Sequence, residues 1–311
     1  MVGVMETTNP SQDGIRSTET LGPDDLAAAR AVLAAASAVD GREAVSEAGR
    51  LRLRVDSARP GVTHLVQRQE GVPAGYAQLE AAEGRTTVEL TVHPDHRRAG
   101  LGRQLLDAAL AEADAGPVDF WAHGGHPGAA RLAEEYGAEL VRELRQMRRP
   151  AEPVPDEPVL PNNVTVRTFR PGRDEAAWLR LNALAFAHHP EQGSWTEQDL
   201  AERLAESWFD PAGLFLAWRG EQLVGFHWTK VHPDGLGEVY VVAVDPAEQG
   251  SGLGRALTAT GLRHLAEDRK VPAVLLYVDA DNPAAVRVYE RLGFTVHEVD
   301  LVYRVDTAAG R

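Results

Sequence analysis

Two stretches of this chain have the composition of a phosphate cradle. The first is Val92-His93-Pro94-Asp95-His96-Arg97-Arg98-Ala99-Gly100-Leu101-Gly102-Arg103; the second is Val244-Asp245-Pro246-Ala247-Glu248-Gln249-Gly250-Ser251-Gly252-Leu253-Gly254-Arg255. Each closes a run of strand-forming residues and opens an amphipathic helical stretch. The glycines leave backbone N–H groups uncovered where a helix N-terminus points outward, a geometry that binds phosphate. The copies stand roughly 150 positions apart, about one domain length, so the repeat reads as a duplicated fold. Two diphosphate sites are therefore expected, and the residues beside each decide whether chemistry follows.

The elements around these turns repeat too. In the first half His64–Gln67, Gly75–Glu80 and Thr86–Val92 read as strands, followed by a helix over Arg103–Ala113 and a strand over Val118–Ala122. The second half offers Leu214–Trp218, Leu223–Val231 and Glu238–Val244, a helix over Arg255–Glu267, a strand over Ala273–Val278, a helix over Pro283–Leu292 and a last strand near Thr295–Val305. This order predicts an α/β fold, a central mixed sheet of α+β type with helices on both faces. Between the halves, the proline-rich run from Pro150 to Pro161 suits neither helix nor sheet interior and reads as a linker. The predicted domains are 20–149 and 164–307, joined by 150–163. The first 20 or so residues are polar, without apolar period, and are expected to form a loose tail.

Composition narrows the function. A formal charge of -14 argues against a nucleic-acid partner and suits a cationic substrate. With no cysteine, disulfides, thiolate metal sites and a cysteine nucleophile all drop out, so group transfer runs directly between substrates or through another nucleophile. The Ala-rich run Leu26 to Val39 is interrupted by Arg30 and preceded by Glu6, Asp13, Asp24 and Asp25, which favours an amphipathic helix over a signal peptide. No membrane segment is expected, and a cytoplasmic monomer is.

The glycine turns are not those of a dinucleotide fingerprint, because position 255 is arginine, and neither ends in Gly-Lys-Ser/Thr. What remains, Arg97-x-x-Gly100-x-Gly102 and Gln249-x-x-Gly252-x-Gly254, resembles the acyl-CoA pyrophosphate loop of the GNAT acetyltransferase superfamily. Asp281-Asn282-Pro283-Ala284-Ala285-Val286-Arg287-Val288-Tyr289-Glu290-Arg291-Leu292-Gly293-Phe294 is similar to the final helix of such enzymes. The resemblance implies two tandem GNAT acyl-CoA N-acyltransferase domains, with acetyl-CoA as acyl donor and no metal. It implies donor contacts from Leu90, Thr91, Val92, Arg98, Ala99, Gly100, Leu101, Gly102 and Arg103 in the first half. In the second half it implies Val242, Ala243, Val244, Gln249, Gly250, Ser251, Gly252, Leu253, Gly254 and Arg255, with Asn282, Pro283, Ala284, Ala285, Val286 and Arg287 on the CoA arm.

The halves are unequal. Opposite Asn282 and Tyr289 the first half has His126 and Ala133, and opposite Glu238 it has Thr86. The first domain is therefore expected to bind or to scaffold, and the second to catalyse. Acyl transfer to an amine requires a neutral amine, a polarised thioester carbonyl and a proton for the departing thiolate. Glu238 is the candidate general base, directly or through a water. Backbone N–H groups of Val242 to Val244, splayed by a bulge, are candidates for the carbonyl oxygen. The family role of Tyr289 is general acid on the CoA sulfur.

Further segments resemble the mycothiol synthase family of tandem GNAT proteins: His189–Trp195, Trp208–Pro211, Gly225–Pro233, Gly237–Tyr240, Phe120–Gly124 and Gln146–Pro150. That resemblance implies acetylation of the cysteinyl amine of cysteinyl-glucosaminyl-inositol. It places substrate contacts at Glu47, Glu191, Lys230, Glu238 and Tyr277, with a connection between Lys230 and Glu238 shorter than the family's. His227 and His232 lack a third ligand at metal-site spacing. The rival readings are a peptide N-acetyltransferase and a non-catalytic acyl-CoA sensor. Against the first stand Trp195, Trp208 and Trp228, which suggest an enclosed pocket; against the second stands the retention of both Glu238 and Tyr289.

Overall fold

The computed structural model describes residues 13–53, 59–82, 84–187 and 192–306. In chain order the first half runs β1 (Gly14–Thr18), α1 (Pro23–Asp40), α2 (Glu47–Leu51), β2 (Val62–Gln69), β3 (Val72–Ala82), β4 (Arg85–Val92), α3 (Leu101–Glu112), β5 (Pro117–Ala122), α4 (Pro127–Glu135) and β6 (Glu139–Pro150). The second half runs β7 (Val164–Thr168), α5 (Glu175–Ala185), α6 (Glu197–Leu204), β8 (Leu214–Arg219), β9 (Gln222–Val231), β10 (Gly237–Val244), α7 (Leu253–Arg263), β11 (Ala273–Asp279), α8 (Pro283–Arg291) and β12 (Thr295–Asp306).

Two compact units result, Met1–Leu144 with Glu298–Arg311, and Arg145–His297. In the first, the strands follow the order β1-β2-β3-β4-β5-β12, antiparallel except for the parallel pair β4–β5. Neighbouring residues on these strands face opposite ways, as a period of two requires. Leu65 and Ala77 pack with Leu105, Leu106 and Ala109 of α3, while Val66 and Tyr76 pack with Leu26, Ala29 and Val32 of α1. Both faces of the sheet are thereby covered.

The second unit has the order β6-β11-β10-β9-β8-β7, with β10–β11 parallel. Leu216, Phe226 and Trp228 pack with Trp178 of α5 and Leu200 of α6; Ala217 and Val224 pack with Leu253 and Leu257 of α7.

Two features differ from the sequence expectation. Residues 14–18 are not tail but an edge strand, paired from Gly14↔Arg68 to Thr18↔His64, because Ile15 reaches apolar cover and the edge of β2 offers main-chain partners. The domain bounds also differ from 20–149 and 164–307, since each half gives up the end of its last strand. Met147 of β6 is buried in the core of the second unit, whereas Tyr303 and Val305 of β12 pack on the core of the first. Apolar burial thus decides where each strand belongs.

Candidate active site

Both glycine turns are built alike. After β10, Asp245 caps the amide of Ala247 at 2.9 Å, and Gly252 begins α7 in the left-handed region at φ 88°. Gly250 is left-handed as well, at φ 82°. The turn is held from below by a fork from Arg219 to Glu248 at 2.7 and 2.8 Å. After β4, His93 takes the capping role and Gly100 begins α3 at φ 83°. Arg98 occupies the left-handed position corresponding to Gly250, at φ 68°. Such a conformation costs a non-glycine residue about 1–2 kcal/mol.

The charges around the two turns differ. Arg97 is committed to Asp40 by bonds of 2.8 and 2.7 Å and to the Val92 carbonyl at 3.1 Å. That guanidinium holds the Asp40 carboxyl below its ordinary range. Arg103 pairs with Glu135, whereas its counterpart Arg255 has no ion pair among the described residues.

Beside the second turn, β10 and β11 pair only at Gly237↔Val274 and Glu238↔Leu275 and then separate. A bulge lies between Val239 and Val241, leaving Tyr240 as the extra residue. The strand distortion thus lies immediately ahead of Val242–Val244. Tyr240 is held in place by its hydroxyl, which accepts from Arg203 Nε at 3.0 Å. The Arg203 guanidinium in turn lies 3.7 Å from the Trp195 ring centroid. In the first unit, β3 and β4 pair from Gly75↔Val92 to Ala82↔Arg85 with no such shift.

This one extra residue corrects the alignment of the halves. Counting cross-strand pairs back from the turn, Glu238 stands opposite Lys230 and beside Leu275, the place that Thr87 fills opposite Glu80 and beside Asp119. The structural counterpart of Glu238 is thus Thr87, not Thr86. The bulge shifts the linear count by one.

Glu238 and Lys230 are both buried and directly opposed across the hairpin, a consequence of the short connection between β9 and β10. The Lys230 ammonium lies 4.4 Å from the Trp208 ring centroid and 5.0 Å from that of Tyr240. Trp228 is fully buried in the aromatic cluster and backs the site rather than lining an open cavity. Tyr277, two residues beyond Leu275, accepts from Gln146 Nε2 at 2.9 Å. Glu47 sits in the first unit at the start of α2, where Ser46 caps the helix. Glu191 lies outside the described residues.

On α8, Asn282 caps the helix through Oδ1, which accepts from the Ala285 amide at 3.1 Å. Tyr289 packs with the cluster that includes Val239, Val286 and Phe294. Its hydroxyl makes no hydrogen bond among the described residues. Burial pushes its pKa up to about 12, so the phenol stays protonated. In the first unit Ala133 fills the corresponding place in the core and offers no hydroxyl.

The two histidines of β9 and its turn part company. His227 is fully buried, with Nδ1 2.7 Å from the Leu257 carbonyl, and burial lowers its pKa to about 4. His232 lies 2.7 Å from Glu238, a partner that sequence reasoning missed. The described residues contain no group of three metal-ligating side chains, and no helix among them is long and apolar enough to cross a membrane.

A parallel strand pair that splays beside a bulge, ahead of a glycine turn and a capped final helix, defines an acyl-CoA N-acetyltransferase of the GNAT class. The Acetyltransferase (GNAT) family model matches residues 178–294, and the Acetyltransferase (GNAT) domain model matches 60–147. Among solved structures, the fold matches a tandem GNAT protein from the clavulanic acid biosynthesis pathway with a TM-score of 0.73 at 18% identity, covering 94% of this chain and 98% of that one. It also matches a GCN5-related N-acetyltransferase from Sphaerobacter thermophilus with a TM-score of 0.66 at 26% identity, covering 94% and 95%. The chain is 56% identical to a mycothiol acetyltransferase of Streptomyces griseus over 97% of its length and 100% of that protein. It is 54% identical to one of Thermomonospora curvata, over 88% and 91%. The chain belongs to the mycothiol acetyltransferase family.

Proposed function

We propose that the second unit transfers the acetyl group of acetyl-CoA to the cysteinyl amine of cysteinyl-glucosaminyl-inositol, and that the first unit binds or scaffolds. The observation that carries this division is the β10 bulge at Tyr240 beside a buried Glu238, where the first unit has an unshifted strand and Thr87. Glu238 takes a proton from the substrate ammonium, directly or through a water. The amine nitrogen then attacks the thioester carbon, and backbone N–H groups of Val242 to Val244 meet the charge on the carbonyl oxygen. Collapse breaks the C–S bond and releases the thiolate toward Tyr289.

The state of Tyr289 refines its part. Full proton transfer from a phenol of pKa about 12 to a thiolate whose thiol has a pKa of about 8.5 is uphill. Its larger contribution is then a hydrogen bond to the developing thiolate charge. Lys230, Tyr277 and Glu191 supply polar partners for a hydroxyl-rich pseudodisaccharide, since an unpaired buried hydroxyl is costly. The turn amides, Arg255 and the start of α8 would hold the CoA diphosphate and arm.

The test is product detection by mass after incubation with acetyl-CoA and either cysteinyl-glucosaminyl-inositol or a peptide panel. Acetylation of peptides but not of the small thiol would overturn the substrate, and binding without any product would leave a sensor. Glu238→Gln is expected to lower turnover by about 10²–10⁴ and Tyr289→Phe by a smaller factor, both with CoA binding nearly intact. Wild-type turnover in either variant removes that residue from the mechanism.

A further inference from the structure

His232 begins the turn that joins β9 to β10. Its amide donates to the Leu236 carbonyl at 2.8 Å, and the Gly235 amide returns to the His232 carbonyl at 2.9 Å. Gly235 takes φ 86°, the left-handed conformation this tight turn needs. So constrained, the ring sets Nε2 2.7 Å from Glu238 Oε2. The Glu238 side chain is 7% exposed and that of His232 is 25% exposed. The imidazole therefore stands between a buried carboxylate and solvent.

A base that collects one proton per turnover must lose it before the next. A buried carboxylate has little direct access to water, and imidazole is the side chain whose ordinary pKa suits exchange near neutrality. We propose that His232 is the proton exit of the active site, a positioning and relay residue that acts through Glu238; this rests on Glu238 being the base. The protonated carboxyl donates through Oε2 to Nε2 of neutral His232. That restores the carboxylate and forms an imidazolium. The imidazolium then gives one proton to water and returns by exchange to the Nδ1-protonated tautomer. In between, the imidazolium donates to the carboxylate and fixes its orientation. His227 has no such role, because it is fully buried against the Leu257 carbonyl.

The experiment is steady-state kinetics on the full chain with acetyl-CoA and cysteinyl-glucosaminyl-inositol, for His232→Ala, His232→Gln and Glu238→Gln, with and without added imidazole. Retained acetyl-CoA affinity reports that each variant is folded. His232→Ala is expected to lose roughly 10- to 100-fold in kcat with KM for both substrates within about threefold. Added imidazole should restore its turnover saturably. His232→Gln can still donate to the carboxylate but carries no proton, and should remain slow. Wild-type kcat in His232→Ala overturns the proposal, as does full recovery by His232→Gln, which would make the residue only a hydrogen-bond donor. If Glu238→Gln turns over normally, the assignment of the base has failed instead; if it is slow while His232→Ala is normal, only the relay has.

Discussion

Glycine at position 254 does two jobs that a single substitution can separate. A Cβ there would meet only Val244 Cγ2, at an ordinary 3.5 Å, and the residue lies in the first turn of α7. Packing thus does not require glycine, and Gly→Ala within a helix stabilises by about 0.5–1 kcal/mol. Gly254→Ala should raise the melting temperature by about 1–3 °C and yet weaken acetyl-CoA binding by about tenfold, since the methyl group intrudes where a diphosphate approaches the backbone. Calorimetry and thermal unfolding on one preparation check both. Unchanged affinity would make the glycine incidental. Gly252 behaves differently, because its φ of 88° penalises any side chain whatever the space. The glycine pattern was legible in the sequence because bare backbone is a chemical requirement that residue type expresses directly. The partnership of His232 with Glu238 was not, since six positions along the chain become a contact only once the hairpin register is known.

Strands β4 and β10 were legible to within a residue, because alternating apolar positions bounded by the glycine turns mark them clearly. The position of the bulge, at Tyr240 just ahead of Val242, was not legible. A bulge is a mismatch between two strands, so β10 alone could not display it. Its anchor was equally hidden: Tyr240 and Arg203 are far apart in sequence and meet at 3.0 Å only after α6 packs on the sheet. Tyr240→Phe keeps the ring in its edge-to-face contacts with Trp208 and Trp228 but removes one acceptor of a buried guanidinium. Loss of a hydrogen bond to a charged group costs about 1.5–3 kcal/mol. The variant should unfold at lower temperature, and with the bulge loosened its kcat should fall more than its affinity for acetyl-CoA. Wild-type kcat in a destabilised variant would show that the bulge holds without this anchor.

Across the whole chain, duplication kept the phosphate turn twice while the surroundings of each turn diverged, and the first unit depends on residues from the end of the chain. That dependence was not legible, because β6 and β12 carry similar alternating patterns that suit either sheet. Asp300 of β12 accepts from the Gly124 amide at 2.6 Å and lies 3.5 Å from His123 Nδ1. On its other side, His123 Nε2 is 2.9 Å from Glu89, which also accepts from the Ser46 amide at 2.6 Å and from Gln78 at 2.7 Å. Burial opposes charge on this imidazole, but the bonds to Asp300 and Glu89 outweigh it and push its pKa up to about 10. Burial likewise opposes charge on Glu89, yet the bonds from His123 and Ser46 hold its pKa below the ordinary carboxylate value. Linkage then assigns two limbs to stability. The native state binds the His123 proton more tightly than the unfolded chain does. Its contribution is therefore complete below the ordinary imidazole value of 6.5 and is lost as pH rises toward 10. The Glu89 contribution is complete above the ordinary carboxylate value of 4.5 and is lost as pH falls through its lowered folded pKa. Urea unfolding followed across pH should therefore show stability declining from pH 6.5 upward. Asp300→Asn removes one of the two carboxylates and should move that decline to lower pH, whereas His123→Gln should flatten it. An alkaline limb unmoved by Asp300→Asn would mean that β12 contributes packing to the first unit but not the charge that binds it.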